Sequence, residues 1–394
     1  MREHPVRLAA GLLCLSLFGA GCAPVYLSRQ PGGQEPLIRI ALQRNQPRAV
    51  IYGSYRITAE GGSGGIEPGQ SWTAARTGDR LEVEIGVGQS FSPGGARLRL
   101  RSDGEFFVND KMVRGTIEIL PDAGPGLLVV AEMPLEDYLP GVLAAEIGGL
   151  ADKALEAAKA QAVVSRSYAF ARIGANLRSY FDIEAGTSHQ CFDLDNLVSP
   201  AIRRAVADTR GQVLTYGGKV ISPNFHSTCG GRTARPSEVW NARDDDFPYL
   251  ESVEDKWCSI SPRYHWSDAI LAEELAGRLF PGKQEVIKDV KVQKVGKSGR
   301  VVSLMVSTAA GDTVLTKSAV RNGLRDKPLL SSWFEMEVQR DASGKLRRLV
   351  LSGRGYGHGV GMCQWGAIGM AQKGENFRGI LRHFYRRAEI KRLY

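Results

Sequence analysis

The sequence lacks the short motifs that would assign this chain to the commonest classes of binding protein. No Cys-x-x-Cys pair occurs among its six cysteines, and no zinc-finger or helix-turn-helix spacing is present. Nucleic acid is therefore not expected as a partner, although the formal net charge is +9. Beyond the first residues, no stretch is apolar over the length that crosses a membrane. The hydrophobic content of 43% is normal for a protein with a core of its own.

The excess of positive charge favours an anionic partner. Lys and Arg number 51 against 42 Asp and Glu, and the pI is near 9.3. Anionic lipid and an acidic polymer such as the glycan of a cell wall both suit this charge. Charge alone does not choose between them.

The N-terminal residues have the pattern of an export signal. Two arginines precede an apolar run over residues 8–20, which is too short to span a bilayer. The run ends in small residues before Cys22, as lipoprotein signals do. We therefore predict a signal peptide over residues 1–21, a lipid anchor on Cys22 and a linker over residues 22–36. Cleavage at a nearby small residue would instead leave a protein without the anchor.

Cysteine is scarce in the rest of the chain. Apart from the cysteine within the signal peptide and Cys22, four remain: Cys191, Cys229, Cys258 and Cys363. An even number in an exported protein suggests disulfide bonds, and four cysteines allow three pairings. A zinc site is the alternative, because His226 lies three residues before Cys229, and Cys191 is a further candidate ligand. His226 could equally be a buried structural histidine or line a cleft.

Strand patterns dominate the first third of the chain and return later. In Arg97 to Arg101 charged and apolar residues alternate strictly, as in a half-buried strand, whereas residues 135–147 and 154–173 have helical patterns. Further expected elements are a helix over 199–209, a hairpin over 212–222, a helix after Trp266 that ends at Leu279, strands within 286–351, and helices over 367–372 and 377–385.

This order of elements predicts an α+β fold. We expect an N-terminal β-rich region over residues 37–125. A mixed domain over residues 126–394 follows, with a β-rich insertion around residues 286–351.

The most unusual stretch covers residues 353–365, in which glycine occupies every second position as far as Gly361. If the segment is extended, one side carries no Cβ, which predicts the floor of a glycine-lined cleft against which a polymer can lie. Tyr356, His358 and Gln364 would then bind substrate. A glycine-rich turn in a β structure is the alternative.

Glu146 is the candidate for acid–base chemistry. On a helix it shares a face with Val142 and Leu143, and an apolar environment raises the pKa of a carboxyl group and keeps its proton available. Lys159 and Arg166 lie two helical turns apart with small residues between them, so they could position a polar or anionic substrate. The alternatives are a glutamate that points to water and a solvated basic face.

Cys363 and His358 together suggest a thiol nucleophile activated by histidine. Separation along the chain does not establish such a pair, and an exported protein offers the thiol a disulfide partner. We therefore do not favour a thiol nucleophile at Cys363.

Four stretches, taken in order, resemble the SpoIID/LytB domain family. Met133 to Glu146 is similar to the opening of that domain, and Ala157 to Ala169 is similar to its alanine-rich helix. Phe225 to Gly231 and Gly353 to Ala371 are similar to its two later motifs. The N-terminal β region and residues 267–350 carry little of the resemblance.

The resemblance implies a function in the cell wall. Sporulation members of this family are lytic transglycosylases, which cleave peptidoglycan strands already stripped of stem peptides and leave 1,6-anhydro ends. Other members are enhancers of a cell-wall amidase. By resemblance the catalytic glutamate falls on Glu146 and the helix arginine on Arg166, although Ile147 and Gly148 replace the family's usual Met-Pro. Some members bind zinc through histidine and cysteine, which adds zinc to the candidate cofactors.

The sequence therefore predicts an exported lytic transglycosylase of the periplasm or cell envelope, with a non-catalytic amidase enhancer as the alternative. Such an enzyme needs one acid/base, Glu146, because the sugar's own 6-hydroxyl attacks, whereas an ordinary glycosidase usually needs two carboxylates. Candidates for a second carboxylate are Asp182, Glu184 and Glu238. The side chains expected to bind or position the sugars are Lys159, Arg166, His226, Tyr356, His358 and Gln364.

Overall fold

The structure is a computed structural model that describes residues 33–59, 64–85, 88–93, 96–175, 179–186, 190, 192 and 198–394. The predicted signal peptide, Cys22, most of the predicted linker and Cys191 lie outside the described residues. None of the helices in these ranges combines the length and the apolar character that a membrane-spanning segment requires.

The N-terminal half is built on one large sheet, which is antiparallel except where β11 joins β1. Its strands are β1 (Leu37–Gln46), β2 (Arg48–Gly53), β3 (Ile57–Ala59), β4 (Gly65–Ile66), β5 (Ser71–Thr77), β6 (Arg80–Ile85), β7 (Ser90–Phe91), β8 (Leu98–Val108), β9 (Lys111–Pro121), β10 (Leu127–Pro134) and β11 (Ile183–Glu184). Their order is β11-β1-β10-β9-β8-β2-β5-β6-β7, and β3 pairs with β8 and β4. Leu98 and Leu100 are buried while Arg99 and Arg101 are not, as the alternation predicts.

Three helices share the hydrophobic core of this sheet: α1 (Leu135–Glu146), α2 (Leu155–Phe170) and α3 (Pro200–Asp208). Pro140 lies inside α1 without ending it. Ile38 and Val129 of the sheet share one buried core with Leu139 of α1. The turn near residue 125, at which the domain boundary is predicted, thus joins β9 to β10 within one sheet, and the core of that sheet continues into the helices.

A second core forms between α2 and several elements from the second half of the chain. These elements are β12 (Gln212–Tyr216), β13 (Lys219–Val220), β14 (Phe225–His226), α4 (Pro236–Val239), β21 (Met362–Cys363), α7 (Gln364–Gln372), α8 (Phe377–Phe384) and β22 (Glu389–Arg392). β14 runs parallel to β21, with His226 opposite Cys363. This pairing brings the two later motifs of the sequence together.

Residues 265–354 form a unit with a third core, in which Leu275, Leu304 and Leu349 are fully buried. Its elements are β15 (His265–Leu271), α5 (Ala272–Leu279), β16 (Asp289–Val295), β17 (Val301–Ser307), β18 (Asp312–Thr316), α6 (Ser318–Asn322), β19 (Phe334–Arg340) and β20 (Leu346–Arg354). They form two sheets, β15-β20-β19 and β16-β17-β18.

The predicted α+β class is confirmed. The helix expected after Trp266 is wrong over its first residues, because residues 266–271 belong to β15 and only α5 is helical. β15 pairs with β20, which lies some eighty residues later in the chain, and local propensity does not report such a partner.

Candidate functional site

Glu146 is the last residue of α1 and is partly buried. Its Oε2 accepts a hydrogen bond of 3.3 Å from Nε2 of Gln364, the buried first residue of α7. The Sγ of Cys363 accepts the Gly366 amide at 3.3 Å and so caps α7. The carboxyl group therefore lies between the C-terminal end of one helix and the N-terminal end of another.

An arginine and a tyrosine lie on the α2 side of Glu146. Burial raises the pKa of the Tyr168 hydroxyl, and the charge of Glu146 contributes in the same direction. The Arg172 guanidinium lies 3.4 Å from the centroid of the Tyr168 ring and donates to Ser222 Oγ at 2.8 Å. Burial lowers the pKa of Arg172, and the neighbouring Tyr168, Tyr138 and Tyr249 only partly oppose this shift. We call Glu146, Tyr168, Arg172 and Gln364 the Glu146 site.

Two histidines and a tryptophan form a neighbouring group, in which His226 lies opposite Cys363, the residue before Gln364. The rings of His226 and His358 are 5.4 Å apart, and Trp240 lies 5.1 Å from His358. His226 Nδ1 lies 3.1 Å from the Val360 carbonyl and therefore carries the proton, while the Val360 amide donates to His358 Nδ1 at 3.0 Å. Burial holds the pKa of both rings well below the ordinary value, so both are neutral at physiological pH. His226 Nε2 is buried without a hydrogen-bond partner among the described residues.

The glycine-rich stretch is not extended as expected. The alternate glycines over residues 355–361 all adopt positive φ, from +74° to +109°, which side chains with a Cβ rarely do. A Cβ on Gly357 would lie 2.9 Å from the Cβ of His226, and one on Gly359 would overlap the guanidinium of Arg300. These glycines face the protein's own atoms, so the expectation of a bare groove floor along them is wrong.

Arg166 has partners other than Glu146. It is fully buried and donates to both carboxylate oxygens of Glu136 at 2.8 Å, and Tyr394 Oη donates to the same group at 2.8 Å. Burial alone would raise the pKa of Glu136, but the hydrogen bonds from Arg166 and Tyr394 outweigh it and hold the pKa below its ordinary value. Arg166 thus joins α2 to the start of α1 in the core.

Lys159 likewise lies in an ion-pair cluster. Its ammonium is 2.8 Å from Glu156 and 3.0 Å from Asp208, and the hydrogen bond to Glu156 raises its pKa. Tyr356 is 41% exposed and exchanges main-chain hydrogen bonds with Thr228. Among the sugar-binding candidates, Gln364 is the one for which the described part of the chain gives a hydrogen bond to Glu146.

The three carboxylates considered as a second catalytic group are held elsewhere. Asp182 forms a bidentate pair with Arg39 at 2.8 and 3.2 Å, and Glu184 lies 2.6 Å from Arg44. Glu238 accepts the amide of Ser298 at 3.2 Å.

The expected disulfides do not form among the cysteines that the structure describes. Cys229, Cys258 and Cys363 are buried free thiols, and Cys229 Sγ lies 3.4 Å from Cys258 Sγ. They converge with Asp255, whereas His226, an expected zinc ligand beside Cys229, is not part of this cluster.

Sequence reasoning missed Tyr168, Arg172, Trp240 and Tyr249. Tyr168 and Arg172 are four residues apart on a predicted helix and so share a face, which was the available signal. Trp240 and Tyr249 lie in loops that are positioned by the second core. No spacing in the sequence around them indicates that position.

Comparisons with known proteins agree with the arrangement of these motifs. Residues 123–216 match the SpoIID family model, described as stage II sporulation protein, and residues 254–361 match a domain of unknown function, DUF8618. Stage II sporulation protein D of Bacillus amyloliquefaciens is 30% identical over 283 residues, which are 66% of this chain and 75% of that protein.

Two further relatives extend this likeness. An uncharacterized protein of Brachyspira hyodysenteriae is 30% identical over 290 residues, 72% of this chain and 74% of that protein. The amidase enhancer of Bacillus subtilis is 26% identical over 299 residues, 63% of this chain but only 39% of the enhancer. The chain therefore belongs to the SpoIID/LytB family.

Proposed function

We propose that this protein is a peptidoglycan lytic transglycosylase that cleaves the glycan strand and leaves 1,6-anhydro-muramoyl ends. The placement of Glu146 is the observation that supports this function most. A partly buried carboxyl group is held by Gln364, which lies 218 residues away in the sequence. Long-range positioning of one carboxyl group is what a general acid requires.

In the proposed reaction, Glu146 donates its proton to the glycosidic oxygen as the bond from that oxygen to the muramoyl C1 breaks. Positive charge develops on the sugar ring, as in other glycosidic cleavages. The 6-hydroxyl of the same sugar then forms a bond to C1 and returns its proton to the Glu146 carboxylate. The glutamate ends the cycle protonated, and no water is consumed.

The three carboxylates considered as a second catalytic group are all bound to other residues, which supports this mechanism over hydrolysis. A hydrolase of the usual kind needs a second carboxylate, as base or nucleophile, within about 5–10 Å of the acid. Asp182, Glu184 and Glu238 are held by the contacts described above, and a carboxylate in a bidentate arginine pair is a poor base. Internal attack by the 6-hydroxyl removes the need for one.

The test is mass spectrometry of the soluble products after the mature protein has been incubated with intact and with amidase-treated peptidoglycan. We expect products with 1,6-anhydro ends, since no water enters the sugar. Products with reducing ends would indicate hydrolysis instead and would contradict the mechanism. The yields from the two substrates measure the preference for stripped strands.

The resemblance implies a preference for strands stripped of stem peptides. Arg172 is the residue that could recognise such strands. When an amidase removes a stem peptide, the lactyl group of muramic acid is left as a free carboxylate. Among the described residues, Arg172 donates to the Tyr168 carbonyl and the Ser222 hydroxyl rather than to a carboxylate. We propose that its charge is available to pair with the lactyl group.

Arg172→Met is therefore expected to lower kcat/KM on amidase-treated strands about tenfold, the loss of one charge-assisted hydrogen bond, and to change cleavage of intact strands less. Initial rates on the two substrates measure this ratio. Arg56→Met, which changes an exposed arginine of the N-terminal sheet, is the matched control. An equal loss on both substrates would contradict recognition of the lactyl carboxylate.

The similarity to an amidase enhancer supports a second candidate, a non-catalytic module that binds glycan and stimulates a cell-wall amidase. This candidate predicts retained glycan binding, no anhydro product, and a higher rate of a purified amidase in the presence of the protein. Under either function we propose an exported protein of the cell envelope that is held to the membrane by a lipid on Cys22.

A further inference from the structure

Three cysteines and one aspartate from three separate segments meet in the second core. Cys229 follows β14, Asp255 and Cys258 lie in the loop before β15, and Cys363 ends β21. One ligand atom from each of the four lies within 4.8 Å of the others, and all four residues are buried. Three sulfurs and one carboxylate oxygen form a donor set typical of zinc.

The separations suit one tetrahedral ion. Sulfur atoms bound to a single zinc at about 2.3 Å lie about 3.8 Å apart. Here Cys229 Sγ is 3.4 Å from Cys258 Sγ and 3.1 Å from Asp255 Oδ2. An iron–sulfur cluster would need its ligands farther apart, because the cluster itself lies between them.

Backbone amides already orient the four groups. Cys363 Sγ accepts the amides of Cys229 and Gly366 at 3.2 and 3.3 Å, and Cys229 Sγ accepts that of Gly231 at 3.4 Å. Asp255 Oδ1 accepts the Cys258 amide at 3.2 Å, so Oδ2 is the oxygen that faces the sulfurs. Such outer contacts hold metal ligands in place and stabilise thiolates.

Arg300 supplies charge balance. Its guanidinium is fully buried and donates to the carbonyls of Cys229 and Arg232 at 2.8 and 3.0 Å; among the described residues it is not paired with a carboxylate. Three thiolates and a carboxylate around a divalent ion carry two net negative charges. A buried cation beside that group offsets one of them, which explains an arginine that otherwise has no anionic partner.

We propose that Cys229, Asp255, Cys258 and Cys363 bind one structural zinc ion. Four protein ligands without access for water make a closed site, which stabilises the fold and takes no part in chemistry. Zinc binding would fix β14 and β21 side by side and so set the position of Gln364, the residue after Cys363. This site stands apart from the proposed catalysis, because it would bind metal even in an inactive protein.

The experiment measures metal in protein purified without a metal-affinity step or chelator. We expect one zinc per chain by elemental mass spectrometry, its release on titration of the thiols with a mercurial reagent, and a thiolate-to-metal charge-transfer band after exchange for Co²⁺. Cys258→Ser should lose this metal, whereas Cys191→Ser should keep it.

A chelator should lower the melting temperature of the unmodified protein by about 10 °C or more, a readout that needs no variant to fold. Metal retained by Cys258→Ser would overturn the assignment. A Cys229–Cys258 disulfide in the purified protein, without metal, would overturn it as well.

Discussion

Replacing Glu146 by glutamine is expected to reduce the rate of anhydro-product formation by a factor of about 10² to 10⁴. The amide keeps the shape of the side chain and can still meet Gln364, but it cannot donate a proton to the glycosidic oxygen or accept one from the 6-hydroxyl. Because the proposed mechanism uses a single acid/base, no other carboxylate of the site would take over. The rate is measured by mass spectrometry of soluble products.

Binding must be measured beside this rate. Glu146→Gln should sediment with glycan as the unmodified protein does, which shows that the variant is folded and has lost chemistry alone. Glu337→Gln, at an exposed position of β19, is the matched control and should leave the rate unchanged. Cleavage by Glu146→Gln at the normal rate would remove Glu146 from the catalytic role.

Arg166→Met is expected to lower the free energy of unfolding by about 3–5 kcal/mol. The change leaves Glu136 buried with its charge uncompensated, which costs far more than the loss of an exposed pair. Denaturant unfolding measures the difference. The exposed pair of Arg56 and Glu67 gives the control, since Arg56→Met should cost about 1 kcal/mol or less.

The same pair makes stability depend on pH. The pKa of Glu136 is lowered in the folded state, so its contribution is present above the ordinary value of 4.5 and is lost as pH falls through the folded value. Arg166→Met should weaken this acid-induced loss. If Arg166 instead bound substrate, the variant would unfold at the normal denaturant concentration and lose only activity.

The site could be predicted only in part from sequence. Spacing placed Glu146 on the apolar face of a helix, and α1 does end there. The motifs predict Arg166 beside Glu146, but its guanidinium pairs with the carboxylate of Glu136 instead. Charge pairs over such separations depend on how helices cross, which the helical period does not encode.

Long-range pairing also explains what the fold prediction missed. The sequence of β15 continues into α5 without a breaker, so the residues after Trp266 have a helical pattern, and only the partner strand β20 makes them extended. The period of two in the glycine-rich stretch over residues 353–365 predicts an extended segment. The glycines adopt positive φ instead, and His226 and Arg300 approach Gly357 and Gly359 too closely for a Cβ, which no local pattern reveals.

The unit over residues 265–354 enters and leaves the rest of the protein at one edge, where the Gly355 amide donates to the Tyr264 carbonyl at 2.9 Å. Two adjacent chain connections of this kind ordinarily act as a hinge, about which the connected unit, here called the lobe, can rotate. Arg300 belongs to that lobe, yet it is bonded inside the second core to the carbonyl of Cys229. Rotation of the lobe would break the hydrogen bonds that the buried Arg300 guanidinium donates to Cys229 and Arg232, so these bonds oppose it. The glycan strand of the proposed reaction is therefore expected to reach Glu146 without an opening of the lobe.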